Sequence, residues 1–207
     1  MTNQRHGQGR QARRRASTRQ ALIDAARHLL AEGAGAEASI QEITKTADVG
    51  FGSFYNHFTS KGELFAAATN QAMEEYGAHI DALTGALTDP AEVMVTSIRL
   101  TARLARTHPQ IARILLAQGM SHLDVSTGLL PRALRDVNRG VAAGRFSVAD
   151  PQLAVMVLAG GMLGLLHLQM SGRMRAGPQR TDAFATMMLL ALGMSDAEAR
   201  DVISSTH

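Results

Sequence analysis

Apolar residues recur at helical spacing from Thr18 onward. Leu22, Ala25, Ala26, Leu29 and Leu30 form one stripe, and Gly33 and Gly35 close it. A second stripe runs through Ile40, Ile43 and Ala47. Val49, Phe54 and Phe58 continue it after a break at Ala47-Asp48-Val49-Gly50. Start signals are frequent: Ser39–Glu42, Ser60–Glu63, Ser195–Glu198 and Asp89–Glu92 have the capping-box spacing, and Asp150-Pro151 places proline at a first helical position. The pattern predicts helices over about 18–33, 39–47, 50–57, 60–85, 90–107, 109–119, 125–144, 151–172 and 180–193, with a short turn after Ser195. No internal repeat is present.

Composition agrees with an all-α fold. Trp is absent and aromatics make up 4%, while Ala, Leu, Met, Arg and Gln, all good helix formers, abound. The lack of cysteine excludes disulfides, thiolate metal sites and cysteine nucleophiles, and it fits a cytoplasmic protein. The start is polar and lacks the apolar core of a secretory signal. The net charge of +3 is unevenly placed: residues 1–65 hold nine Lys and Arg against six Asp and Glu, and the remainder holds twelve of each. Arg5, Arg10, Arg13, Arg14, Arg15 and Arg19 precede the first acid, Asp24. Residues 1–16 therefore read as a disordered basic arm, either simply solvated or turned toward an anionic partner, nucleic acid or a membrane surface.

Two short helices joined by a tight turn at Asp48 make a helix-turn-helix, whose second helix enters the major groove of DNA. Asp tolerates the left-handed backbone such a turn needs, and Gly50 is an acceptable cap for the following helix. The outward face of that helix presents Phe51, Gly52, Ser53, Tyr55, Asn56 and His57, groups able to meet phosphates, base edges or thymine methyls.

The run from Ile43 to Leu64, above all Tyr55-x-His57-Phe58-x-x-Lys61, resembles the signature of tetracycline-repressor (TetR) family regulators, and the likeness spans about residues 18–65. The resemblance implies an all-α protein: an N-terminal three-helix DNA-binding head (17–63) after the arm (1–16), and a helical effector-binding and dimerisation body (64–207). It also implies a homodimer on pseudo-palindromic operator DNA. DNA contacts are expected from Gln41, Thr44, Gly50, Phe51, Gly52, Ser53, Tyr55, Asn56, His57 and Lys61. Two departures stand out: Asp48 replaces the usual turn glycine, and Gly50 replaces a Ser or Thr cap, removing a hydroxyl that would meet phosphate.

In the body, Met94, Ile98, Thr101, Gln118, His122, Leu134, Asn138, Met162 and Leu166 are candidate contacts for a small hydrophobic effector, polar groups among adaptable apolar ones. Residues 153–170 carry no charge over eighteen positions, the lower limit for a membrane span. Gln152, His167 and Gln169 interrupt the stretch and no aromatic belt flanks it, so a dimerisation helix is preferred and no membrane partner is expected. Gly160, Gly161, Gly164, His167, Phe184, Met187 and Met188 are then the candidate dimer contacts, in a four-helix arrangement. No hydrolase, phosphate-loop or zinc-protease motif occurs. No enzyme activity, cofactor or metal is expected; a helical binding protein or enzyme with a vestigial three-helix head is the alternative.

Overall fold

The computed structural model describes residues 2–35, 37–118, 128–175 and 177–206, with side chains from Gly9 onward apart from that of Gln118. Among the described residues there are eleven helices and no strand. They are α1 (Thr2–Glu32), α2 (Ile40–Thr46), α3 (Phe51–Tyr55), α4 (Lys61–Thr84), α5 (Pro90–Ala102), α6 (Leu104–Thr107), α7 (Pro109–Gln118), α8 (Leu129–Ala142), α9 (Pro151–Met170), α10 (Pro178–Ala191) and α11 (Asp196–Ser205). Contacts divide the chain into two units, Met1–Ala72 and Met73–His207.

The first unit buries the stripe read from the sequence: Leu22, Ala26, Ile43, Phe54, Phe58 and Leu64 are all at most 1% exposed. Where a disordered arm was expected over 1–16, the backbone is already helical from Thr2. Arg, Gln and Ala cost little in a helix, so the basic residues continue α1 backwards and do not fray from it. Arg10, Arg13, Arg14, Arg15 and Arg19 are all exposed along that extension.

The second unit is built around α5, which packs against α8, α9, α10 and α11. Met94, Val95 and Ile98 of α5 join Val137, Val155 and Leu189 in the larger core. A second core gathers Tyr76, Ile80, Leu104, Ala112 and Leu166. The helix expected over 90–107 is broken at Arg103, and the four-residue α6 ends at His108 with φ −143° and ψ 65°. His108 precedes Pro109, whose ring disfavours a helical conformation in the residue before it. The turn expected after Ser195 is a ten-residue helix, closed by a capping box between Ser195 and Glu198.

Ion pairs fasten α8 to α4. Arg132 donates from both terminal nitrogens to Glu74 (2.9 and 2.6 Å) and from Nε to Asp81 (2.8 Å), while Arg135 bridges Asp81 and Asp136. The Arg132 guanidinium holds Glu74 down to about 2. Burial pushes the Asp81 carboxyl up, but Arg135 and Arg132 outweigh it and leave it below its ordinary range. Gly77 makes the room: a Cβ there would lie 2.9 Å from the Arg132 side chain. At the other end of α8, Gly193 takes φ +84° and lets Ser147 reach the carbonyl of Leu192, an approach that a side chain would block.

Candidate nucleic-acid interface

Helix α2 starts on the expected capping box: Ser39 accepts from the Glu42 amide, and the Glu42 carboxylate accepts from the Ser39 amide at 2.8 Å. These bonds to Ser39 hold the Glu42 carboxyl below its usual range. After Ala47 the chain reverses through Asp48 at φ +52°, the one non-glycine residue with positive φ among those described. Gly50, extended at φ −64° and ψ 143°, then opens α3 without a side-chain cap.

That reversal decides which face of α3 is buried. Phe54 (0% exposed) and Phe58 (1%) point into the first core, so Phe51 and Tyr55, one turn apart, point out at 54% and 57%. Their rings meet edge-on with centroids 6.0 Å apart. Gly52 and Asn56 are exposed beside them, Ser53 and His57 are half-buried, and Gln41 is exposed at the start of α2. Two large aromatics left outside on a helix of five residues are informative, because none of the described residues covers them.

Two expected contacts are placed otherwise. Thr44 is 3% exposed, and its hydroxyl donates back to the carbonyls of Ile40 and Gln41, so it belongs to the interior of α2. Lys61 is half-buried, with its ammonium donating to the Ala38 carbonyl at 2.7 Å. It ties the first turn of α4 to the segment before α2, which offsets the cost of a cation at a helix N-terminus. The expected box at Ser60 is also modified: Glu63 bonds the amide and hydroxyl of Thr59, both at 2.7 Å.

Guanidinium groups of α1 reach this surface. Arg15 donates to the Asn56 carbonyl at 3.4 Å and Arg19 lies 5.0 Å over the Phe58 ring, so α1 brings its arginines to α3. Burial lowers the His57 pKa, and Arg15 and Arg19 lower it further, leaving a neutral imidazole at pH 7. An approaching phosphate opposes those two arginines and favours protonation.

Of the expected effector contacts, Met94 and Ile98 are buried in the larger core with Leu134 packed on it, and Leu166 is buried in the second core. Met162 lies against both, while Asn138 is exposed and so stands away from the interior. His122 and the Gln118 side chain fall outside the described residues. Thr101 donates to the Ser97 carbonyl at 2.8 Å; burial pushes the Tyr76 phenol up to about 12, against the opposing pull of the Thr101 hydroxyl. Among the described residues, two buried polar side-chain atoms, Ser97 Oγ and Gln169 Oε1, have no hydrogen-bond partner. Sequence reasoning missed Tyr76, Ser97 and Gln169, since isolated polar residues in apolar helices give no signal until their partners are known.

The expected dimer residues separate into two sets. Gly161 packs against Phe184 (3.2 Å to a built Cβ) and Met188, which is 7% exposed, so these three belong to the α9–α10 packing within one chain. Gly160, Gly164, His167 and Met187 lie instead on an open side, and a Cβ at either glycine meets nothing within 4 Å. Leu153 (65% exposed), Val157 (54%) and Leu190 (41%) extend that side. Positions 153, 157, 160, 164 and 167 alternate spacings of four and three, the repeat of a helix-pairing seam, and that spacing was the signal available for Leu153 and Val157. Helix α9 is also long and apolar enough to cross a membrane by length and composition.

A family profile described as "Tetracyclin repressor-like, C-terminal domain" matches residues 89–205, and one described as "Bacterial regulatory proteins, tetR family" matches residues 22–68. An uncharacterized HTH-type transcriptional regulator of Mycobacterium tuberculosis is 29% identical over 101 residues, 49% of this chain and 50% of that protein. The chain thus spans about half the length of the curated relatives it matches. Among solved structures, RolR in complex with resorcinol is 32% identical, with a TM-score of 0.76 over 94% of this chain and 96% of that one. FadR from Bacillus subtilis in complex with stearoyl-CoA shares the fold at 17% identity, with a TM-score of 0.65 over 84% of this chain and 97% of that one.

Proposed function

Because the chain belongs to the tetR family of bacterial regulatory proteins, we propose that it is a cytoplasmic, homodimeric repressor that leaves its operator when a small effector binds. The observation that carries the DNA-binding reading is the outward pair Phe51 and Tyr55 on α3, set by the left-handed turn at Asp48 and backed by the arginines of α1. In this reading Phe51 and Gly52 approach base edges and thymine methyls. Ser53, Tyr55, Asn56, His57 and Gln41 hold the phosphates and flanking bases. Gly50 lets the backbone come close, and Lys61 acts by positioning α4. The basic stretch of α1 follows the backbone as a rigid helical extension, in place of a flexible arm.

The effector reading rests on the second core. Ser97 and Thr101 lie one turn apart on α5; Tyr76 of α4, which meets the Thr101 hydroxyl, shares the second core with Leu166 and Met162 of α9, and α9 also carries Gln169. Orphaned buried oxygens are costly, and a ligand bearing hydroxyls would satisfy Ser97 and Gln169. RolR, the relative solved with resorcinol, supports a small hydroxylated aromatic as the class. Such a ligand releases DNA only if it binds the DNA-incompetent state more tightly, and operator must then weaken ligand binding by the same factor. The proposed function involves binding only, with no catalytic step, cofactor or metal.

The test is a titration of resorcinol with and without a pseudo-palindromic duplex whose half-site centres lie about 34–36 Å apart. Reciprocal weakening of the two ligands is expected. Tight operator binding that resorcinol leaves untouched removes the effector class, and failure to retain any palindromic duplex removes the regulator reading.

A further inference from the structure

The second unit has a cleft of about 600 Å³ where the end of α5, Arg103, α6 and the first turn of α10 meet beside Thr206. None of the residues assigned above to DNA, effector or dimer lines it. Its floor is a saturated cation. Arg99 donates from Nε to Asp182 at 2.8 Å, from Nη2 to the Ile203 carbonyl at 2.9 Å, and from Nη1 to the Thr206 carbonyl. Those bonds neutralise Asp182 and satisfy carbonyls at the C-terminal end of α11, so Arg99 is spent on structure.

Arg103 and Arg106 are in a different state. They lie three residues apart on one wall, both are exposed, and among the described residues neither guanidinium group has a hydrogen bond or an ion pair. Opposite them stands the positive end of α10, whose cap Gly177 offers no side chain to the first amides. The hydroxyl of Thr181, a residue 7% exposed, also faces the cleft, and among the described residues it has no hydrogen-bond partner. That hydroxyl is open to the cleft, where it can donate to an occupant carrying oxygen. Leu83, Leu100 and Pro178 give the cleft an apolar side that an inorganic ion would leave wet.

We propose that this cleft binds a small organic carboxylate. Its anionic group is received by the Arg103 and Arg106 guanidinium groups and the Thr181 hydroxyl at the α10 N-terminus, and its hydrocarbon part lies on Leu83, Leu100 and Pro178. Two guanidinium forks suit a planar carboxylate, and a helix N-terminus adds favourable potential without a counter-charge. The site is separate from the interior region around Ser97 and Gln169, so either assignment can fail without the other.

Calorimetric titration of the full chain with benzoate, octanoate, benzyl alcohol and inorganic phosphate tests the proposal, with amide NMR to locate the site. At least one carboxylate should bind at one equivalent per chain and shift the amides of Gly177 and Thr181. Benzyl alcohol and phosphate should bind about tenfold more weakly or worse, since each lacks one half of the recognition. Arg103→Gln combined with Arg106→Gln should weaken carboxylate binding by about tenfold or more and leave the melting temperature unchanged. Thr181→Val should weaken it by a smaller factor. Absence of saturable binding by both carboxylates, unchanged affinity in the double arginine variant, or phosphate binding as tight as benzoate would each overturn it.

Discussion

Replacing Gly164 by leucine separates what α9 does within a protomer from what it does between two. A Cβ at Gly164 meets nothing within 4 Å, and the residue is exposed, so the protomer has room for the side chain. Leucine also loses less backbone entropy than glycine in a helix, worth about 0.8 kcal/mol in favour of the folded protomer. Across a paired seam the effect reverses. Extra methylenes forced into a packed interface cost about 1–3 kcal/mol, and a two-fold axis makes the cost appear twice, about 2–6 kcal/mol. That corresponds to roughly a 30-fold to 20,000-fold weaker dimer, at about 1.4 kcal/mol per factor of ten. Light scattering across a dilution series should show Gly164→Leu as a folded monomer at concentrations where the wild type is dimeric, with operator binding lost in parallel. Gly161→Leu should behave differently, because its side chain strikes Phe184 and Met188 within the same chain and destabilises the protomer itself by about 1–3 kcal/mol. A Gly164→Leu variant that remains dimeric would remove the seam along 153, 157, 160, 164 and 167. A variant that is monomeric but unfolded would refute the argument from open space.

Tyr55→Ala should reduce affinity for all duplexes and flatten the salt dependence of binding, while a melting temperature close to wild type is expected from a ring 57% exposed; anisotropy titrations at several salt concentrations read both effects, and undiminished affinity would exclude the outward face of α3. Gly140→Ala drives a Cβ into the Phe146 ring, so it should cost at least about 1–3 kcal/mol in urea unfolding, and an unchanged midpoint would mean that the ring is not held against α8. The α4–α8 ion pairs predict an acid limb of stability. Glu74 and Asp81 have folded pKa values below their unfolded ones, so their contribution is fully present above about pH 4.5 and is lost as pH falls from there toward 2. Arg132→Met should shrink that limb in unfolding curves measured from pH 6 to 3, and an identical acid limb in the variant would assign the acid sensitivity to other groups.

The amino-acid sequence determined most of the local structure. The Ser39 and Ser195 boxes, the Asp89 and Asp150 caps and the left-handed Asp48 are written in short runs of residues whose hydrogen bonds close within four positions. The apolar period likewise predicted the stripe through Leu22, Ile43, Phe54 and Phe58, because burial on a helix follows from spacing alone. The outward face of α3 was legible for the same reason: once Phe54 and Phe58 turn inward, Phe51 and Tyr55 have to turn outward.

Tertiary structure decided matters in which distant residues compete for one group. Thr44 and Lys61 fit a DNA-contacting pattern, but the first bonds its own helix and the second the Ala38 carbonyl. Gly160, Gly161 and Gly164 look equivalent along the chain; only the α10 side chains opposite them show that Gly161 is filled by Phe184 while the other two stay open. Arg99 and Arg103 differ in sequence by nothing but position, yet one is saturated by Asp182 and the end of α11 and the other is left for a ligand. A charge or a small residue states what a position can do; which partner reaches it first depends on the packing of helices that are far apart in the chain.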